Sequence, residues 1–355
     1  MNWLKKILDK IFIDGLSGMA QGLFATLIVG TIVQQIGTLV GGETGNYIFL
    51  VGKVAASLTG AGIGVGVAHR FQESSLVVLS SAAAGMIGGY AGNLLAGSMV
   101  SGGNVILAGP GEPLGAFIAA FIGIQAGHLI SGKTKIDILL TPIITIGIGG
   151  TTGILVGPSI SKFMMGLGDM INWGTEQQPL IMGIVVSVLM GMALTLPISS
   201  AALGVILNLN GLAAGAATVG CCCNMIGFAV ASFRENKLGG LLAQGIGTSM
   251  LQVPNIVRNP LIWLPAILSS AILGPVGTIL LKMTNNATGA GMGTAGLVGQ
   301  IMTWQTMTAV ESPTIVVIKI VAIQILLPAI VTVCISEPVF TSYISGYTSS
   351  NFSSI

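Results

Sequence analysis

Residues 312–335 read SPTIVVIKIVAIQILLPAIVTVCI. A single charge, Lys319, interrupts the run. About 20 consecutive apolar residues suffice to carry a helix across the hydrocarbon of a bilayer. Backbone amides in lipid have no water to bond, so a stretch of this kind must satisfy them internally, as a helix does. The same signature recurs over 15–40, 46–68, 75–98, 113–131, 137–158, 179–199, 213–232 and 260–283. Segments 201–212, 239–256 and 286–304 are apolar but short or broken by Gly, and read as re-entrant hairpins or further crossings. The expected fold is all-α: a polytopic transmembrane protein with about nine to eleven spans, re-entrant hairpins and internal repeats.

Composition agrees. Charged residues are 7% of the 355 positions and hydrophobic ones 52%, against about 25% charged in soluble domains. The 53 glycines often lie inside apolar runs, where small residues let helix backbones approach closely in lipid. A net charge of +2, with no basic cluster beyond Lys5, Lys6 and Lys10, excludes a nucleic-acid binder.

Three regions follow. Over 1–13, Trp3, Leu4, Ile7, Leu8 and Ile11 share one helical face opposite Lys5, Lys6 and Lys10, which predicts an amphipathic helix lying on the membrane surface. Residues 14–340 form the membrane-embedded domain, and 341–355 a polar tail. The basic links around His69-Arg70, Lys133-Lys135 and Arg234-Lys237 are expected in the cytoplasm. A repeat is visible: Gly64-Val-Gly-Val-Ala-His69 matches Gly123-Ile-Gln-Ala-Gly-His128 at an offset of 59, and Gly88-Gly89 matches Gly149-Gly150 at 61.

No hydrolase elbow, P-loop, HExxH or CxxC pair is present. No catalytic residue, metal site or cofactor is therefore expected. Cys221, Cys222 and Cys223 are adjacent in an apolar run and read as small buried side chains. Ionisable residues near spans are costly, and so point to function. Lys53 and Lys319 lie inside spans; Glu112, in Gly109-Pro-Gly-Glu-Pro113, Glu311 and Glu337 lie at span ends. The second half adds Asn208, Asn224, Gln252 and Asn255 beside breaks such as Pro197-Ile-Ser-Ser200. A polar solute is expected near the bilayer midplane. Its preferred ligands are Glu311 and Asn224, with Glu112 or His128 from the first half and Asn208, Gln252 and Asn255 in the lining. Lys319 follows Glu311 by two helical turns, about 12 Å along a straight axis, so Glu311 is expected to lack a direct ionic partner.

Certain stretches resemble the sugar phosphotransferase-system IIC-like membrane proteins, the group that includes the perfringolysin O regulator. They are Gly220-Cys-Cys-Cys-Asn-Met-Ile-Gly227, Phe233-Arg-Glu-Asn-Lys237, Gly66-Val-Ala-His69 and Leu196-Pro-Ile-Ser-Ser200. The resemblance implies a homodimeric permease of the bacterial cytoplasmic membrane. It would translocate a sugar that separate IIA and IIB proteins phosphorylate, and would itself be at most the membrane component of a phosphotransferase. The chain lacks a clear Gly-Ile-Thr-Glu signature, so no binding residue transfers from that family. A membrane regulator or sensor without transport, and an ion-coupled secondary transporter, stand as alternatives. Single cysteines at 69–74, 132–136 and 233–237, in a background without native Cys, should resist an impermeant thiol reagent added outside intact cells; labelling of any one would reject its cytoplasmic placement.

Overall fold

The computed structural model describes residues 10–101, 104–107 and 109–337. The helices are α1 (Lys10–Val40), α2 (Gly42–Ser57), α3 (Thr59–Arg70), α4 (Ser75–Gly89), α5 (Ala91–Leu95), α6 (Pro113–Ile130), α7 (Asp137–Thr175) and α8 (Pro179–Thr195). There follow α9 (Ser200–Ile206), α10 (Gly211–Ala231), α11 (Phe233–Leu242), α12 (Val253–Arg258), α13 (Pro260–Leu280), α14 (Ala287–Ala290), α15 (Val298–Met307) and α16 (Pro313–Glu337). A two-residue hairpin ladder, Val100–Ser101 with Asn104–Val105, follows α5. The surface helix expected over 1–13 lies mostly outside the described residues, and the 341–355 tail wholly so.

Among the described residues, six helices are long and apolar enough to cross a membrane, or seven if α2 and α3, bent by 51°, make one span. The shorter α4 and α8, 15 and 17 residues, are apolar too. All nine expected spans thus appear as apolar helices, but two fall short of spanning length. The three Gly-broken segments resolve into short helices and turns. The chain is an all-α, multi-pass membrane protein. Leu79, Ile138, Leu155 and Ile206 are exposed on the outer helix faces, as lipid-facing side chains are.

Boundaries follow local chemistry. Pro occupies the first turn of α6 and α16, where its missing N–H costs nothing. Ser74 caps α4 by accepting from the Val77 N–H at 3.5 Å. At the α2–α3 break, the Thr59 hydroxyl donates to the Ala56 carbonyl at 2.6 Å, satisfying an acceptor that the bend frees. The span expected over 137–158 is longer: α7 runs 39 residues, through Pro142 and Pro158.

The chain folds as two compact units. The first comprises the chain to Met170 with Leu196–Ser199 and Met250–Asn259; the second comprises Ile171–Thr195, Ser200–Ser249 and the chain from Pro260. In the first, glycines of α1 meet those of α2 and α3 main chain to main chain: Gly18 faces Gly66, Gly22 faces Gly62, Gly30 faces Gly52 and Gly37 faces Gly45. Helix α4 meets α3 at Gly85 and Gly60, and α6 at Gly88 and Gly115. In the second unit, Gly220 of α10 lies on the Ser187 carbonyl of α8, and Gly274 of α13 on that of Gly183. A core of Val219, Cys223, Leu273, Met283, Met307, Val316, Ile320 and Ile323 closes around them.

A methyl group at Gly22 would collide with the Gly62 carbonyl, whereas one at Gly147 meets nothing within 4 Å. Gly22→Ala should lower the thermal midpoint of the detergent-solubilised protein by roughly 5 °C, as overpacking of about 1–3 kcal/mol implies. Gly147→Ala should leave it unchanged or slightly raised. Equal midpoints for the two variants would contradict the helix contact.

Candidate functional site

In the first unit, α4 ends at Gly88-Gly89 and Tyr90 turns the chain. The Tyr90 hydroxyl points at the carbonyls of Gly109 and, at 3.2 Å, Ser57. The Glu112 N–H donates to the Gly89 carbonyl at 2.7 Å, which ties the Gly109–Glu112 loop to the end of α4. The Glu112 side chain then caps α6, its Oε1 accepting from the Leu114 N–H at 3.5 Å. The Ser199 N–H, in the break after α8, bonds the same carboxyl. Burial of this loop carboxyl pushes it up to about 7, outweighing the two N–H bonds that favour the charged form. Among the described residues no cation forms an ion pair with it.

The other candidates of this unit have local partners. His128 Nδ1 lies 2.8 Å from the buried carboxylate of Glu73, and the Ser74 and Ser131 hydroxyls bond at 2.7 Å beside it. Asn255 Nδ2 donates to Gln252 Oε1 at 2.9 Å. These two are the only members of the expected ligand set that hydrogen-bond one another among the described residues.

In the second unit, Asn224 sits fully buried on α10. Its Oδ1 accepts from Thr195 Oγ1 at 3.1 Å and Trp263 Nε1 at 2.8 Å; its Nδ2 donates to the Gly220 carbonyl and to Ser270 Oγ, each at 3.2 Å. Every hydrogen-bonding position of the amide is filled. Thr195 continues the network to Ser249 Oγ at 2.8 Å. Asn208 adopts a left-handed backbone (φ 48°) in the turn before α10, where its carbonyl and side-chain oxygens take the Asn210 amide at 2.7 and 2.9 Å.

Glu311 requires a correction. It is paired with Lys319, whose Nζ lies 2.7 Å from both carboxylate oxygens. The axial-distance argument fails because Glu311 is not in the helix. Helix α16 starts at Pro313 after an extended Ser312 (ψ 140°), and the long lysine side chain reaches back along the helix to it.

The sequence reading missed a second buried network, on the broken segment between α13 and α15. Asn285 Nδ2 approaches Thr218 Oγ1 (2.7 Å), Thr303 Oγ1 (3.0 Å) and the Gly299 carbonyl (3.1 Å), and Gln324 Nε2 donates to Thr303 Oγ1 at 2.8 Å. Gln324 lies in a π-turn, Ala322–Leu326, inside α16; such turns are frequent at functional sites. Its Oε1 and that of Gln300 are buried and accept no hydrogen bond among the described residues. The available signal was Asn285-Asn286 standing together between two apolar segments, and a Gln in the middle of the opening stretch. Cys221, Cys222 and Cys223 are all buried; Cys222 Sγ accepts from Gln300 Nε2 at 3.4 Å.

Two units of glycine-packed helices, broken at Leu196–Ser199 and at Lys282–Leu297 with polar networks at the breaks, define a multi-pass membrane protein built like a carrier. Residues 13–353 match the family described as Phosphotransferase system, EIIC. The chain belongs to that family, and is a permease-type membrane component of a phosphotransferase system. No curated protein matches it.

The Glu311–Lys319 pair yields a test. Lys319→Met leaves the partly buried Glu311 carboxylate without its cation just before the start of α16 and should destabilise the purified protein by roughly 1 kcal/mol. Adding Glu311→Gln should recover at least half of that loss. Additive losses in thermal unfolding would show that the two residues are not coupled.

Proposed function

We propose that the chain translocates a sugar across the bacterial cytoplasmic membrane while separate IIA and IIB proteins phosphorylate it. We further propose that it works as a homodimer. Family membership supports the sugar and the phosphoryl carriers. Among the described residues three buried amide oxygens accept no hydrogen bond; beside Gln35 Oε1 of α1, the two that carry the solute reading are Gln300 Oε1 and Gln324 Oε1. A buried acceptor left empty costs about 1–3 kcal/mol, and a hydroxyl-rich guest supplies the missing donors. Both belong to the second unit, whose helices are interrupted from Lys282 to Leu297. A break of that kind frees main-chain groups for a polar solute. In the first unit, Glu112 offers a carboxyl to a sugar hydroxyl, with Gln252 and Asn255 as further polar groups. Asn224 and Glu311 would reach a solute only by exchanging the partners they now hold. His128 and Asn208, both exposed, fit a route to a site better than the site itself.

Phosphoryl transfer falls to the partners in this reading. The three adjacent cysteines are buried among helices, where a phosphoryl donor has no approach. The regulator alternative draws support from Asn224, since a filled network at the centre of α10 leaves no donor or acceptor for a solute.

The experiment is uptake by vesicles containing the purified chain, enclosing IIA and IIB proteins, the soluble carriers that charge IIA from phosphoenolpyruvate, and phosphoenolpyruvate itself, and offered a panel of sugars. One sugar should accumulate as its phosphate. Gln324→Leu should then weaken its apparent affinity about tenfold, or 1.4 kcal/mol. Accumulation of no phosphorylated sugar would favour the regulator; unchanged affinity would remove Gln324 from the site.

A further inference from the structure

We propose that His128 accepts a phosphoryl group on Nε2 from a phosphorylated carrier protein, as a modification of this chain separate from transfer to the sugar. The identity of the donor rests on the reading above, whereas the reactivity of the imidazole rests on geometry alone.

The two nitrogens of His128 stand in different surroundings. Nδ1 lies 2.8 Å from Glu73 Oε2; the Glu73 side chain is 5% exposed and that of His128 61%. A carboxylate only accepts, so Nδ1 carries the hydrogen of this bond. In the neutral ring Nε2 then keeps its lone pair, and it makes no hydrogen bond among the described residues. An imidazole held through one nitrogen by a carboxylate, with the other nitrogen bare to solvent, is a positioned nucleophile. The hydroxyls of Ser74 and Ser131, bonded at 2.7 Å, tie together the two links that carry the pair. His69, which matches His128 in the repeat, is exposed too but has no carboxylate partner among the described residues.

Unpaired cations lie close by. Gln125 precedes His128 by three residues, on the same face of α6, and its Oε1 accepts from Lys10 Nζ at 3.0 Å. Lys10 also lies 4.8 Å from the centre of the Phe71 ring. Like the exposed Lys133 and Lys135 of the next link, it has no carboxylate partner among the described residues. The neighbouring acids are engaged: Asp14 with Arg70 at 3.4 Å, and Asp137 with the Gly132 N–H at 3.0 Å and the Thr141 hydroxyl at 2.6 Å. The C-terminal end of α6 disfavours an anion, and the three lysines offset this for a dianionic phosphoryl group. In the transfer, the Nε2 lone pair attacks phosphorus. The Nε2–P bond forms as the N–P or S–P bond to the carrier breaks, and the carrier's imidazole or thiolate leaves with the electron pair. The Nδ1 proton stays on the ring, bonded to Glu73.

The test uses the full chain in nanodiscs without any sugar. Phosphoramidate, a small donor that phosphorylates imidazoles, should label His128 at least about tenfold faster than His69, because only His128 is held by a carboxylate. Phosphorus NMR should show the Nε2 isomer on His128, since Glu73 occupies Nδ1. IIA and IIB proteins charged from phosphoenolpyruvate should then place the same acid-labile group on the same nitrogen. His128→Gln should abolish that label and His69→Gln leave it unchanged. Glu73→Gln should slow labelling and admit the Nδ1 isomer; if that chain does not fold, the isomer formed on the unaltered chain decides the geometry. Equal labelling of the two histidines, or an Nδ1 product on the unaltered chain, would overturn the proposal whether or not a sugar is transported. Labelling by phosphoramidate but not by the charged carriers would overturn it too, by removing the donor.

Discussion

Where Gly22 of α1 faces Gly62 of α3, no side chain stands between the helices, and the carbonyl of one lies where a methyl of the other would be. The same contact recurs at Gly220 against Ser187 and at Gly274 against Gly183. Apolar side chains gain little by leaving lipid for one another, so helices in a bilayer associate through close van der Waals packing. Backbone proximity brings many weak contacts together at once. The glycine content, unfavourable for helices in water, is therefore what lets these helices pack.

Close packing also decides where polarity is allowed. A helix break in lipid exposes amides that must find partners. In the second unit the broken segment after Lys282 packs against α9, α10 and α15; Thr218 bonds its Gly289 carbonyl, and its Asn285 bonds Thr218, Thr303 and the Gly299 carbonyl of α15. In the first unit the Gly109–Glu112 loop uses the Gly89 carbonyl in the same way. Buried polar groups thus mark the interruptions of the helices. The glycine contacts supply rigidity, and the breaks are where exchangeable hydrogen bonds concentrate.

The span pattern was legible because length and hydropathy are local properties. Spans were expected from 113 and 312, and the structure begins α6 at Pro113 and α16 at Pro313. The span expected to end at 158 runs on to Thr175 through Pro158, because packing in lipid overrides the loss of one hydrogen bond. The apolar run from 75 to 98 looked continuous, yet Gly88 must approach Gly115 and α4 ends at Gly89. Partnerships were harder to read. Lys319 finds Glu311 because the chain departs from helical geometry at Ser312, which a rise per residue cannot reveal. Asn285, Thr218 and Gln324 lie far apart in sequence and meet through tertiary structure. The candidate residues were correctly seen as costly in lipid, but their hydrogen-bond partners depend on contacts that the sequence does not spell out.

Helix α7 changes solvent along its length. Its 39 residues extend about 58 Å at 1.5 Å per residue, nearly twice the roughly 30 Å of hydrocarbon. The surplus is chemically marked: Lys162 and Asp169 lie two turns apart on one exposed face, and the exposed Trp173 follows. An indole of that kind favours the headgroup layer. The forward part of α7 is apolar enough to cross a membrane, and its final turns carry the side chains suited to the interface. A thicker bilayer draws more of those final turns into hydrocarbon, at a modest free-energy cost per ångström. Bilayer thickness therefore acts on this helix as a mechanical load.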